Sequence, residues 1–168
     1  MLSCPRRFGA WFATVASVAL LSGTARAQSD TLLSVGGDVE KPYALSAAAF
    51  AALPHFSVRA EGHDAKVSSF DGVLLQELLS RAGVRFGGEM RGDRVAIAVV
   101  IEAADHYRAV FALPELDSAF TERRVIVSDR RDGKPTIPSD GPLRIVATGD
   151  KRYARWVRQV VSVTVKKL

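Results

Sequence analysis

The densest run of chemically useful side chains in this sequence is residues 141–158, GPLRIVATGDKRYARWVR. Two apolar segments bracket a loop that holds Gly149, Asp150, Lys151, Arg152 and Tyr153, and Arg155 and Trp156 follow at the entrance to the last one. Arginine clamps phosphate or carboxylate through two parallel hydrogen bonds. A glycine lets backbone amides come close to an anion, and Tyr153 and Trp156 could lie against a planar ring. The chemistry these residues suit is the binding of a phosphorylated, ring-bearing ligand through Arg144, Lys151, Arg152 and Arg155. Alternation along a strand sends Arg155 and Trp156 to opposite faces. The competing reading puts Trp156 in the core and the cations in solvent.

A second cluster is Asp105, His106, Tyr107 and Arg108. It sits between two apolar segments, where rigid elements can hold a site. Asp105 and His106 could exchange a proton, and His106 and Arg108 could reach an anionic ligand. Neighbours of this kind also simply form turns. His63 and Asp64, beside Gly62, repeat the pairing.

Other chemistries are excluded or unsupported. The only cysteine is Cys4. No two of the three histidines, His55, His63 and His106, have zinc-site spacing. There is no P-loop, no G-x-G-x-x-G, no G-x-S-x-G and no internal repeat.

The start of the chain reads as an export signal. Arg6 and Arg7 precede an apolar run, ATVASVALL, and Ala25-Arg26-Ala27 follows it a few residues later. A basic start, a short apolar centre and an A-x-A end are what a signal peptidase accepts. The run is about half the ~20 residues that a membrane-spanning helix needs. Residues 1–27 are therefore expected to be cleaved. Residues 28–168 then form one periplasmic domain with neither a thiol nor a transmembrane segment. Export points away from nucleic acid as a partner. Charge is uneven along that domain: residues 141–168 carry seven basic side chains against one acid, Asp150, while the preceding part is acidic overall. A basic tail suits a small anionic ligand or an acidic partner.

The elements that must position these groups follow from periodicity. Strands are expected at 32–39, 56–60, 95–101, 107–112, 124–128, 143–147 and 160–165. Ser46 can cap a short helix over 47–53 that Pro54 stops. Leu75, Leu78, Leu79 and Ala82 make one apolar helix face over 73–82, and Gly83 sits where a left-handed cap is expected. The run 95–101, apolar throughout, suits a strand covered on both faces. A short connection makes 107–112 its antiparallel neighbour. Val161, Val163 and Val165 should share one face of the last strand. Short strands with a few helices between them give a mixed, β-rich α+β domain.

The order of these pieces resembles the sulfite-oxidase-type molybdopterin-binding domain family. Residues 70–84, FDGVLLQELLSRAGV, are similar to that family's G-V-x-L-x-x-L-L-x-x-A-G-V stretch. Residues 105–113 resemble its D-G-Y-R strand, with His106 in the glycine position. Asp132-Gly133-Lys134-Pro135 resembles its N-G-x-P turn, and residues 141–146, GPLRIV, its P-L-R-L-V strand. Arg152, Arg155 and Trp156 fall where its R-x-x-K-W ending lies. The resemblance spans residues 31–165. It implies a sulfite-oxidase-like fold, molybdopterin as cofactor and oxidoreductase ancestry. Active members also ligate the metal through a cysteine thiolate, which residues 28–168 lack. The alternative is a non-enzymatic domain that kept the fold without the metal. Such a domain would bind an anion or present its basic rim to a membrane-bound redox or sensor partner.

Overall fold

The computed structural model describes Met1 and residues 30–168, so the expected signal peptide, apart from Met1, lies outside the described residues. Among the described residues, no helix is long and apolar enough to cross a membrane. Two five-stranded sheets pack their apolar faces around one buried cluster.

The first sheet runs β2-β1-β10-β5-β6. Its strands are β1 (Thr31–Gly37), β2 (Tyr43–Ser46), β5 (Ile97–Ala103), β6 (Arg108–Ala112) and β10 (Val160–Lys167). β1 and β10 are parallel, and the other pairs are antiparallel. The second sheet contains β3 (Phe56–Glu61), β4 (Val67–Leu74), β7 (Val125–Arg131), β8 (Lys134–Pro135) and β9 (Arg144–Ala147). β7 is its hub and pairs with β4, β8 and β9.

The helix α1 (Ala47–Ala51) starts at Ser46, whose hydroxyl accepts from the Ala49 amide. The helix α2 (Leu75–Arg81) is shorter than its pattern suggests. Val73 and Leu74, expected in its first turn, pair instead with Val127 and Ile126 of β7. Gly72 permits this: a Cβ there would stand 2.2 Å from the Val127 carbonyl oxygen. Strand β4 was not expected at all, because two of its residues before Phe70 are serines and blur the alternation. The rest of the α2 reading holds: Leu75, Leu78, Leu79 and Ala82 are fully buried, and Gly83 has φ +91.

Two strand readings change. Val161 is 41% exposed, while Val160, Val163 and Val165 face the core. The register shifts between Val160 and Ser162, just after Gln159 at φ +50. One extra residue in the strand therefore moves Val160 inward and Val161 out. β5 is buried on one face only, through Ile97, Val99, Ile101 and Ala103, and its other face is half-exposed. β6 pairs antiparallel with it, as expected.

Candidate anion-binding site

Strand β9 is buried at all four positions and delivers Arg144 into the interior. Arg144 is 3% exposed, and its guanidinium lies 5.5 Å from the Phe70 ring centre and 5.7 Å from that of Trp156. Its Nη1 donates to Asp140. Its Nε and Nη2 are buried and have no partner among the described residues. Burial pushes the Arg144 pKa down, and Asp140 opposes that shift.

Arg144 lines a cavity of about 310 Å³ together with Arg131, Lys134, Thr136 and Asp140. The Thr136 hydroxyl is a third buried polar group without a partner among the described residues. Arg131 is fixed by Asp64, at 2.8 and 2.9 Å, and by the Ser68 hydroxyl, and its guanidinium lies 5.4 Å from the Phe70 ring centre. Three cations and two acids, Asp132 and Asp140, therefore border one small space. A guanidinium whose Nε and Nη2 point the same way presents two parallel donors, the fork that matches an oxyanion.

Trp156 lines a separate cleft of about 680 Å³, together with His63, Tyr107, Arg152, Tyr153 and Arg158 among others. The turn before β6 forms one wall and the loop between β9 and β10 the other. The Tyr153 ring centre is 4.4 Å from that of His63 and 5.1 Å from that of Trp156. Trp156 is held in place by its Nε1–H, which donates to the Ala147 carbonyl at 3.1 Å. It is both a core residue and a wall of the cleft. Burial, then Arg158 and Arg144, lower the His63 pKa, which favours the neutral ring.

The six residues singled out from the sequence are spread over different surroundings. Arg144 borders the cavity and Arg152 the cleft. Arg155 does not share the cleft with Trp156, but strand alternation is not the reason: Arg155 ends a 3-10 turn, Tyr153–Arg155, well before the last strand. It donates to Asp150 at 2.7 and 3.1 Å and to Glu115 at 2.9 Å, over the face of Phe111. Lys151 is exposed on the loop. His106, 83% exposed in its side chain, and Arg108 lie beside Glu102 at 3.0 and 3.9 Å, on the solvent side of their turn. Asp105 lines the cleft, and its carboxylate accepts from the Tyr107 amide.

Sequence reasoning passed over Arg131, Lys134, Thr136 and Asp140. The available signal was the run Arg130-Arg131-Asp132-Gly133-Lys134, a turn with cations on both shoulders.

Molybdopterin would need both an anion site and ligation of its metal. The cations of the cavity and cleft suit its acidic end. For the metal, the described residues offer no thiol, and no group of three or more His, Cys, Asp or Glu side chains is placed to hold an ion. A soft metal centre that takes a protein thiolate does not fit this donor set.

No protein-family model matches the chain, and no curated protein matches it. Among solved structures, the sulfane dehydrogenase SoxCD from Paracoccus pantotrophus superposes with a TM-score of 0.65 at 19% identity over 83% of this chain. The matched part is 39% of the SoxCD chain, so this chain spans well under half of that protein's length. At this identity the likeness establishes a shared fold: a mixed, strand-rich α+β domain of the sulfite-oxidase-like type, as the order of motifs implies.

Proposed function

We propose that this chain is an exported anion-binding domain. Its ligand is a small oxyanion, free or as the acidic group of a planar-ring compound of the molybdopterin class. The observation that carries the reading is the Nε and Nη2 of Arg144, buried and without a partner among the described residues. Leaving a buried donor unsatisfied costs about 1–3 kcal/mol, more for a charged group. An oxyanion would satisfy both donors at once, with Lys134 on the same cavity wall to offset its charge. The export signal expected from residues 1–27 is what supports a periplasmic location, and there the exposed basic rim at Lys151 and Arg158 would face a membrane-bound redox or sensor partner.

Thermal unfolding with and without sulfate or phosphate tests the proposal. A ligand that binds only the folded state stabilises it by about 2.7 kcal/mol at a hundred times its Kd. The expected result is a saturable rise in Tm that Arg144→Met abolishes. No rise with either anion would refute the anion site.

A second reading, a molybdopterin-dependent oxidoreductase, is favoured by the fold shared with a sulfane dehydrogenase. Elemental analysis separates the two: stoichiometric molybdenum in protein from a cofactor-producing host supports the oxidoreductase, and its absence there supports the metal-free domain.

A further inference from the structure

The loop that carries Arg152 and Tyr153 into the cleft is closed across its base by ion pairs. Asp150 and Arg155 flank residues 151–154. Arg155 grips both oxygens of the Asp150 carboxylate, Nη2 to Oδ1 at 2.7 Å and Nε to Oδ2 at 3.1 Å. The Asp150 side chain is only 7% exposed. Arg123, from the segment before β7, stands 3.1 Å from Asp150 and 2.8 Å from Glu115. Glu115, from the turn after β6, in turn accepts from Arg155 at 2.9 Å. Two acids and two bases thus close a neutral ring joining three segments. Packing adds a fourth hold, with the Arg155 guanidinium 4.5 Å from the Phe111 ring centre. From the opposite wall of the cleft, the Tyr107 hydroxyl donates to the Ala154 carbonyl at 2.7 Å.

We infer that Asp150 and Glu115 are positioning residues for ligand binding: they hold the 151–154 turn so that Arg152 and Tyr153 face the cleft. This rests on the anion-binding reading above. Neither acid need touch the ligand. Their effect runs through Arg155 and the backbone of the turn. An isolated surface ion pair is worth little, but this one is largely buried, bidentate and shared among four groups, the setting in which geometry is fixed.

The sign of the effect separates positioning from simple electrostatics. Removing a negative charge beside a cationic cleft should strengthen anion binding through the field alone. Removing a positioning group should weaken it. General damage to the fold would weaken every site alike.

The test uses the processed chain and two probes: pterin-6-carboxylate, followed by its fluorescence, for the cleft, and inorganic sulfate, followed by calorimetry, for the Arg144 cavity. Asp150→Asn and Glu115→Gln are compared with wild type, and Glu77→Gln, which breaks an exposed helix pair, serves as control. The expected result is about tenfold weaker pterin-6-carboxylate binding, or ~1.4 kcal/mol, with sulfate affinity and the Glu77→Gln control unchanged. Pterin-6-carboxylate affinity that rises or stays the same, or a parallel loss of both probes, overturns the inference and leaves the anion site standing. Wild-type protein that binds sulfate but not the pterin does the same. Wild-type protein that binds neither overturns the anion site itself. If Asp150→Asn does not fold, Tyr107→Phe removes only the hydroxyl tether to Ala154, and the same selective weakening is expected of it.

Discussion

Asp140 takes one nitrogen of Arg144 and leaves the opposite edge of the guanidinium without a partner among the described residues. The carboxylate orients the guanidinium, and two donors remain on its far edge. Phe70 and Trp156 lie against the group, with ring centres 5.5 and 5.7 Å from it.

Replacing Arg144 by methionine in the absence of ligand removes a buried charge with two unsatisfied donors, which offsets the cost of leaving Asp140 without its partner. The residual cost is Asp140, which keeps Arg158 at 3.5 Å. The expected change in stability is within about 1 kcal/mol of wild type. Urea titration in anion-free buffer measures it, and a loss of several kcal/mol would show that Arg144 is a structural strut.

His106 adopts φ +67, the left-handed region that costs a residue with a Cβ roughly 1–2 kcal/mol. His106→Gly should raise stability by about 1 kcal/mol, since the exposed contact to Glu102 offsets little. Anion affinity should not change, because the ring points to solvent. A drop in affinity would place His106 back among the ligand-binding residues.

Gly72→Ala should be severely destabilising. Its Cβ would meet the backbone of Val127 and Ser128, which cannot yield as a flexible side chain would. Overpacking of this kind costs about 1–3 kcal/mol or more. A urea midpoint equal to that of wild type would contradict the close β4–β7 approach.

Acid should loosen the cavity. The Arg131 hydrogen bonds hold the Asp64 carboxyl below the usual carboxylate range, and the Ser69 amide does the same for Asp132. A lowered folded pKa stabilises the protein above the unfolded value, near pH 4, and that contribution is lost as pH falls through the folded pKa. Stability should therefore be flat from pH 7 to 5 with respect to these groups and decline below about pH 4. Asp64→Asn should lessen the decline. An unaltered acid profile in that variant would count against the Arg131–Asp64 clamp.

The exported form should begin at Gln28, after the Ala25-Arg26-Ala27 end of the signal. Intact-mass measurement of the periplasmic fraction checks this, and an uncleaved mass would argue for a retained anchor.

Much of the fold was legible because its apolar periodicity is strong where packing is one-sided. Leu75, Leu78, Leu79 and Ala82 had only one face to bury. The β5–β6 pair followed from a short connection. What escaped depended on backbone detail. Ser68 faces inward and interrupts the pattern of β4, and a bulge at Val161 exchanges two valines between faces. The site was legible in residue type more than in partner. Arg144 and Arg152 border cavities, but nothing in residues 141–158 shows that Glu115 and Arg123, distant in sequence, engage Asp150 and Arg155. Arg131 and Lys134 escaped because they reach the cavity through the β7–β8 turn, where cations usually mean solvent.

The most direct measurement is the nitrogen–proton NMR signal of the Arg144 Nε–H, assigned by its loss in Arg144→Met, during a titration with sulfate and then phosphate. The anion-site account expects that signal to move saturably, with Arg131 following, as an oxyanion takes the free edge. An Arg144 signal that stays fixed while only exposed arginines respond would contradict it.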